Sequence, residues 1–283
     1  MNKGIELYAN REPQHRRTWT LAAIILIVVF FGVGGLTTSL MMKAMHFQEI
    51  FGKGSWQGNS IGMIGTFGLA SVLCFAWIKF FERRDLNTIG LKSEGLRQYG
   101  RGILLGFGFL SLVVGLIYAA GGYVVEASGI TSNFSLGALL ALGGLFVGFM
   151  IQGGTEEVLM RGWLFQLITS RYGVLIGIVV NMLVFSLLHV GNISFSTELM
   201  IGLFNIVLVA IMLSLYAWKE GSLWGVCAWH SAWNWLLGVG FGLEVSGQSL
   251  KVVPLLIDLK MRRTPRFGSM VARLGRKLAW LPA

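Results

Sequence analysis

The 283 residues are 54% hydrophobic and 13% charged, with a mean hydropathy of +0.68. Several apolar runs are longer than about 18 residues, which excludes an ordinary soluble domain; they lack the two-residue alternation of barrel strands and are about twice as long, which excludes a transmembrane β-barrel. The formal charge of +10 comes in short basic blocks beside those runs, so it points to cytoplasmic loops and anionic lipid and away from nucleic acid.

Residues 1–18 are polar and carry Lys3, Arg11, Arg16 and Arg17, and the run from Trp19 to Met42 is too long for the apolar part of a signal peptide. It reads as an uncleaved first span with a cytoplasmic N-terminus. A second span covers about Ile61 to Phe80. The loop after it holds Arg83, Arg84, Lys92, Arg97 and Arg101, which places it in the cytoplasm. Span three is expected over Ile103–Val125, and the next loop, Glu126–Ser135, has no Lys or Arg. Span four begins near Leu136 and continues to about Ile168, span five covers Val174–His189, span six Leu199–Trp218 and span seven Leu223–Leu243. Arg171 and Lys219 mark the cytoplasmic side of the later connections.

The expected fold is therefore an all-α polytopic helical bundle with seven transmembrane helices, spanning 19–243 as one domain in the plasma membrane of a bacterium. Residues 244–283 form an atypical basic tail with eight Lys or Arg, on the side where positive charge is not expected. Val252–Leu259 is the only trace of an eighth crossing, and it is short and contains Pro254 and Asp258. From Phe267 the pattern Phe267, Val271, Leu274, Leu278 with basic residues between suits either an amphipathic surface helix or a disordered solvated tail. Gly102 with Gly106, Gly144 with Gly148 and Gly173 with Gly177 have the spacing of close helix contacts. Cys74 and Cys227 fall in apolar segments and read as core residues rather than a disulfide.

Polar groups inside the spans carry the functional signal. Glu156, Glu157 and Arg161 would each oppose insertion by about 2.5–3.5 kcal/mol if unpaired. On a helix Glu157 and Arg161 share a face with the acid on the N-terminal side, which suits an ion pair, whereas Glu156 lies about 100° away. One carboxylate is neutralised and the other is free. Two further pairs stand four apart: Phe185 with His189, and His230 with Asn234. Counting about 1.5 Å per residue from the cytoplasmic ends puts Glu156, His189, His230 and Asn234 about 10–24 Å deep, so all four can meet inside a core of about 30 Å. Asn181, Ser186 and Asn205 read as hydrogen-bonding glue between helices, and Gln152 and Thr155 as lining of the same cavity.

The sequence E-E-x-x-x-R at Glu156–Arg161, then F-x-x-x-H at Phe185–His189, then H-x-x-x-N at His230–Asn234, resembles the CAAX protease and bacteriocin-processing family, over roughly residues 20–243. Past about Gly247 the sequence departs from that family's usual last span. The resemblance implies an intramembrane endopeptidase acting on a membrane-associated protein or peptide. Glu156 would then activate water held also by His189, His230 and Asn234 would donate to the oxyanion, and Glu157 with Arg161 would support the motif. A second role for Arg161 is to bind a substrate carboxylate. Glu156, His189 and His230 also make up a possible zinc set, but the spacing is not H-E-x-x-H and Asn234 suits oxyanion donation, so metal-independent chemistry is favoured. The same scaffold could instead serve a non-catalytic bacteriocin-immunity protein. A proton-relaying transporter is disfavoured by the lack of an inverted repeat.

Overall fold

The computed structural model describes residues 8, 12, 14–52, 54–93, 95–128, 135–190, 197–246, 250 and 257–261. They form a helical bundle of the expected class. Helix α1 (Thr20–Ala44) is followed by a short α2 (Phe47–Phe51) and by α3 (Trp56–Ala76), whose first turn is capped by the Ser55 hydroxyl accepting from the Gly58 amide at 3.2 Å. A π-helical turn, Trp77–Phe81, continues α3, and α4 spans Leu96–Ala119. After strand β1 (Tyr123–Ser128), α5 (Leu136–Glu157) opens with a Ser135 cap onto the Ala138 amide at 3.2 Å. It passes through a π-helical segment, Val158–Leu164, into α6 (Phe165–Tyr172). Gly173, at φ 87°, turns the chain into α7 (Val174–His189), and α8 (Thr197–Glu220) and α9 (Trp224–Trp235) follow. A third π-helical stretch, Leu236–Gly240, extends α9, and β2 (Ile257–Met261) comes last among the described residues.

Among the described residues, five helical stretches are long and apolar enough to cross a membrane: Thr20–Ala44, Trp56–Phe81, Leu96–Ala119, Leu136–Tyr172 and Gly202–Glu220. The molecule is a multi-pass membrane protein. The expectation of seven spans differs from this count because Val174–His189 has 16 residues, about 24 Å of rise against a core of about 30 Å, and because α9 is short and its extension is π-helical. Span three ends earlier than expected, at Ala119, and residues 123–125 belong to β1.

Helix α5 is central: α3 lies against one side and α9 against another, while α1 backs α3 and α4 backs α9. Close approach explains several of the paired glycines. A Cβ at Gly102 would stand 2.3 Å from the Gly225 carbonyl oxygen and 2.8 Å from the Ala228 Cβ, and one at Gly106 would stand 2.7 Å from the Trp229 carbonyl oxygen. Gly144 and Gly148 receive Trp56 and Met63 in the same way, but Gly173 has open space and serves the turn instead. Substituting Gly102→Val should therefore lower stability in detergent by about 1–3 kcal/mol, because backbone cannot move aside as a side chain can. Gly100→Ala, on the same helix with nothing within 4 Å, is the neutral control for the thermal-unfolding measurement.

Strand β2 pairs antiparallel with β1, Tyr123 opposite Met261 and Ser128 opposite Ile257, and Leu259 packs with Leu110, Val114 and Phe241. The residues considered for an eighth crossing thus include a strand held at the end of the bundle where α4 stops. Basic residues from Arg262 onward, including the amphipathic pattern after Phe267, lie outside the described residues. Cys74 and Cys227 are both buried and free.

The basic loop after α3 is not simply a solvated face. Arg84 is buried against Glu82 at 3.0 Å and also donates to the Thr88 carbonyl and the Gln166 side chain. Glu82 further accepts from the Thr18 hydroxyl at 2.6 Å and the Trp163 indole at 3.2 Å. This closed network fastens the N-terminal segment and the loop to the π-helical segment beyond Glu157. Satisfying both charges is what makes their burial tolerable.

Candidate active site

Glu156 and Glu157 are the last two residues of α5, and Gly153 one turn earlier lets α9 come close. A Cβ at Gly153 would stand 2.8 Å from Ser231 Oγ and 2.9 Å from Ser231 N. That contact brings His230 against both glutamates. Its Nδ1 lies 2.7 Å from Glu157 Oε1, and its Nε2 lies 3.7 Å from Glu156 Oε2. The first is a hydrogen bond and the second is too long for one.

The expected pair between Glu157 and Arg161 is present at 2.9 Å, with both side chains fully buried. Arg161 reaches further: Nη2 donates to the Ala210 carbonyl on α8 at 3.2 Å, and the guanidinium carbon sits 4.5 Å from the centre of the Phe185 ring. The Tyr8 hydroxyl donates to the Arg161 backbone carbonyl at 3.1 Å. Arg161 has no exposed surface, and its guanidinium is engaged by Glu157, the Ala210 carbonyl and the Phe185 ring, contacts that suit the supporting role.

Glu156 is bound differently. Its Oε1 accepts from Gln152 Nε2 at 2.5 Å, while Oε2 is buried with no hydrogen-bond partner. Gln152 Oε1 in turn accepts from Asn234 Nδ2 at 3.0 Å. One glutamine amide therefore ties the free carboxylate of α5 to the asparagine of α9. The expectation of a lining residue understated Gln152: it stands one turn before Glu156, the spacing at which helical side chains meet, and this was the available signal.

His189 ends α7, its Nδ1 2.8 Å from the Phe185 carbonyl oxygen. A proton on Nδ1 serves that carbonyl and leaves Nε2 with its lone pair for the site. Glu156 and His189 together line two cavities of about 220 and 240 Å³. The other three proposed reacting side chains are thus gathered around Glu156: Asn234 through Gln152, His230 across a 3.7 Å gap and His189 across shared space. Among the other polar residues, Asn181 does act as glue, donating to the Met160 carbonyl at 2.6 Å. Asn205 instead lies exposed on α8, and Ser186 is buried with an unpartnered hydroxyl. Thr155 turns away from the site, donating to the Phe67 carbonyl at 3.0 Å.

A zinc site needs three convergent ligands with lone pairs to give. Among the described residues no group of three His, Cys, Asp or Glu is placed to hold a metal ion. The residues present do not fit the zinc set of Glu156, His189 and His230.

Residues 138–236 match the family model described as type II CAAX prenyl endopeptidase Rce1-like. The resemblance seen in the three motifs is borne out over that segment, which runs from the first turn of α5 through α9 and contains Gln152, Glu156, Glu157, Arg161, Phe185, His189, His230 and Asn234. No curated protein and no solved structure matches the chain.

Proposed function

From the type II CAAX prenyl endopeptidase Rce1-like character of its residues 138–236, we propose that this chain is an intramembrane endopeptidase in which Glu156 activates a water molecule to cleave a peptide bond. The observation that carries this reading is the half-satisfied carboxylate of Glu156, one oxygen fixed by Gln152 and the other buried and unpartnered beside the cavities shared with His189.

In this mechanism water sits between Glu156 Oε2 and His189 Nε2. Glu156 takes its proton as the water oxygen bonds to the scissile carbonyl carbon, and the carbonyl oxygen becomes an oxyanion. Asn234 Nδ2 has one hydrogen committed to Gln152 and a second free to donate to that oxyanion. His230 can do the same through Nε2 only as an imidazolium, because its Nδ1 hydrogen is directed at Glu157. Flanking glutamates on both sides suit that cation. Collapse breaks the C–N bond as Glu156 returns the proton to the leaving amine, which restores the carboxylate.

Unbiased profiling of new peptide termini tests the proposal. Membranes containing the intact chain should yield products that are absent when Glu156→Gln replaces it; identical profiles would count against hydrolysis. Asn234→Ala should lower kcat by about 10²- to 10³-fold with KM nearly unchanged, the pattern of a donor that acts on the transition state. Steady-state kinetics on a cleaved peptide in detergent separates the two constants. A cytoplasmic N-terminus and residence in a bacterial plasma membrane are part of the same proposal, supported by the basic connections.

A further inference from the structure

Gln152 is the one polar side chain in an otherwise small and apolar run, Phe149 to Gly154, and it stands buried one turn before Glu156 on α5. An ionised carboxylate can only accept hydrogen bonds, so the Gln152 amide must turn Nε2 toward Glu156, as it does at 2.5 Å. Its Oε1 is thereby aimed at Asn234. Of the two ends of the Asn234 amide only Nδ2 can answer an acceptor, and it does so at 3.0 Å. The acceptor character of Glu156 is passed through two amides and fixes which end of Asn234 faces α5.

The backbone of Asn234 is held by other contacts. Ser231, one turn earlier, packs on Gly153, where a Cβ would stand 2.8 Å from its Oγ. Its hydroxyl also donates to the Cys227 carbonyl at 2.8 Å within α9, and the Trp235 indole donates to the Leu142 carbonyl on α5 at 3.2 Å. The seating of α9 on α5 therefore has anchors on both sides of Asn234 that do not involve Gln152. What they leave open is the last side-chain torsion of Asn234, which is broad and roughly two-fold, so nitrogen and oxygen can exchange places at little intrinsic cost. With the amide reversed, Oδ1 would present a lone pair where a donor is needed.

We propose that Gln152 is a positioning residue, which selects the orientation of the Asn234 amide whose free Nδ2 hydrogen donates to the oxyanion. This rests on the hydrolase reading for the oxyanion itself. When Glu156 takes the proton of water it does so on Oε2, and Oε1 is still an acceptor for Gln152, so the selection persists while the oxyanion exists. An apolar side chain of similar length at 152 would leave the helices seated and Asn234 undirected.

Gln152→Met removes both hydrogen bonds and keeps the length of the side chain. In the full-length chain in detergent it should lower kcat for a cleaved peptide at least about 10-fold with KM near the parental value, a smaller loss than removing the donor itself. The double variant Gln152→Met with Asn234→Ala should lose at least about 5-fold less than the product of the two single losses, because both act on one hydrogen bond. A readout that needs no turnover is the side-chain amide resonance of Asn234 in protein made with isotope-labelled asparagine, assigned by its loss in Asn234→Ala. Gln152→Met should shift it, and so should Glu156→Leu, which acts on Asn234 only through Gln152. A resonance unmoved by either change, a parental kcat in Gln152→Met, or single losses that simply multiply overturns the proposal. Gln152→Ala serves in the same measurements should Gln152→Met not fold. Retained turnover in Glu156→Gln would overturn the hydrolase reading alone, so the two failures are distinguishable.

Discussion

Glu156→Gln should reduce peptide cleavage by about 10²- to 10⁴-fold, the range that a positioned general base contributes, while the protein extracts and unfolds in detergent like the parent. The substitution keeps volume and keeps a carbonyl oxygen that can accept from Gln152, so the bridge to Asn234 is retained. Only the buried oxygen without a partner is replaced, by an amide nitrogen that has no basicity. The matching change at Glu157 is a separate probe, since both Arg161 and His230 depend on Glu157 Oε1. Its loss should be felt in stability as well as rate. Cleavage by Glu156→Gln at the parent rate would remove Glu156 as the base.

Arg161→Met should destabilise the protein by about 3–5 kcal/mol, the range for removing one partner of a buried ion pair. Both Arg161 and Glu157 have no exposed surface, so the carboxylate left behind cannot be rescued by water. An exposed pair would contribute only about 0–1 kcal/mol, so the size of the loss distinguishes the two situations. The double variant Arg161→Met with Glu157→Gln should recover part of the loss, because it removes the stranded charge along with its partner, although His230 then lacks a carboxylate at Nδ1. Thermal unfolding of the two single variants and the double variant gives the coupling directly. Additive losses would contradict an interaction between Glu157 and Arg161.

Much of the bundle and half of the site were legible before the fold was known. Apolar runs announced the membrane helices, because each residue in lipid must be apolar over a length fixed by the bilayer. The pairing of Glu157 with Arg161 followed from helical spacing alone, as did the conclusion that Glu156 would be left free. Spacing also placed Gln152 on the face of Glu156, but not with which atoms it would bond. The spans that read less well, α7 and α9, are those that stop short or continue as π-helix, and hydropathy carries no mark of a change in helical winding.

The sequence by itself determined a membrane-embedded all-α chain with a neutralised acid, a free acid and three polar partners at compatible depth, because hydropathy and the helical repeat act within a few residues. Only the tertiary structure decided that His230 stands between the two glutamates, that Gln152 joins Glu156 to Asn234, that Glu82 and Arg84 pair in a buried network with Thr18, Trp163 and Gln166, and that residues 257–261 pair with β1. Those contacts join side chains from elements far apart in the chain. Their geometry follows from how near the glycine faces allow the helices to come, a distance that no local pattern specifies.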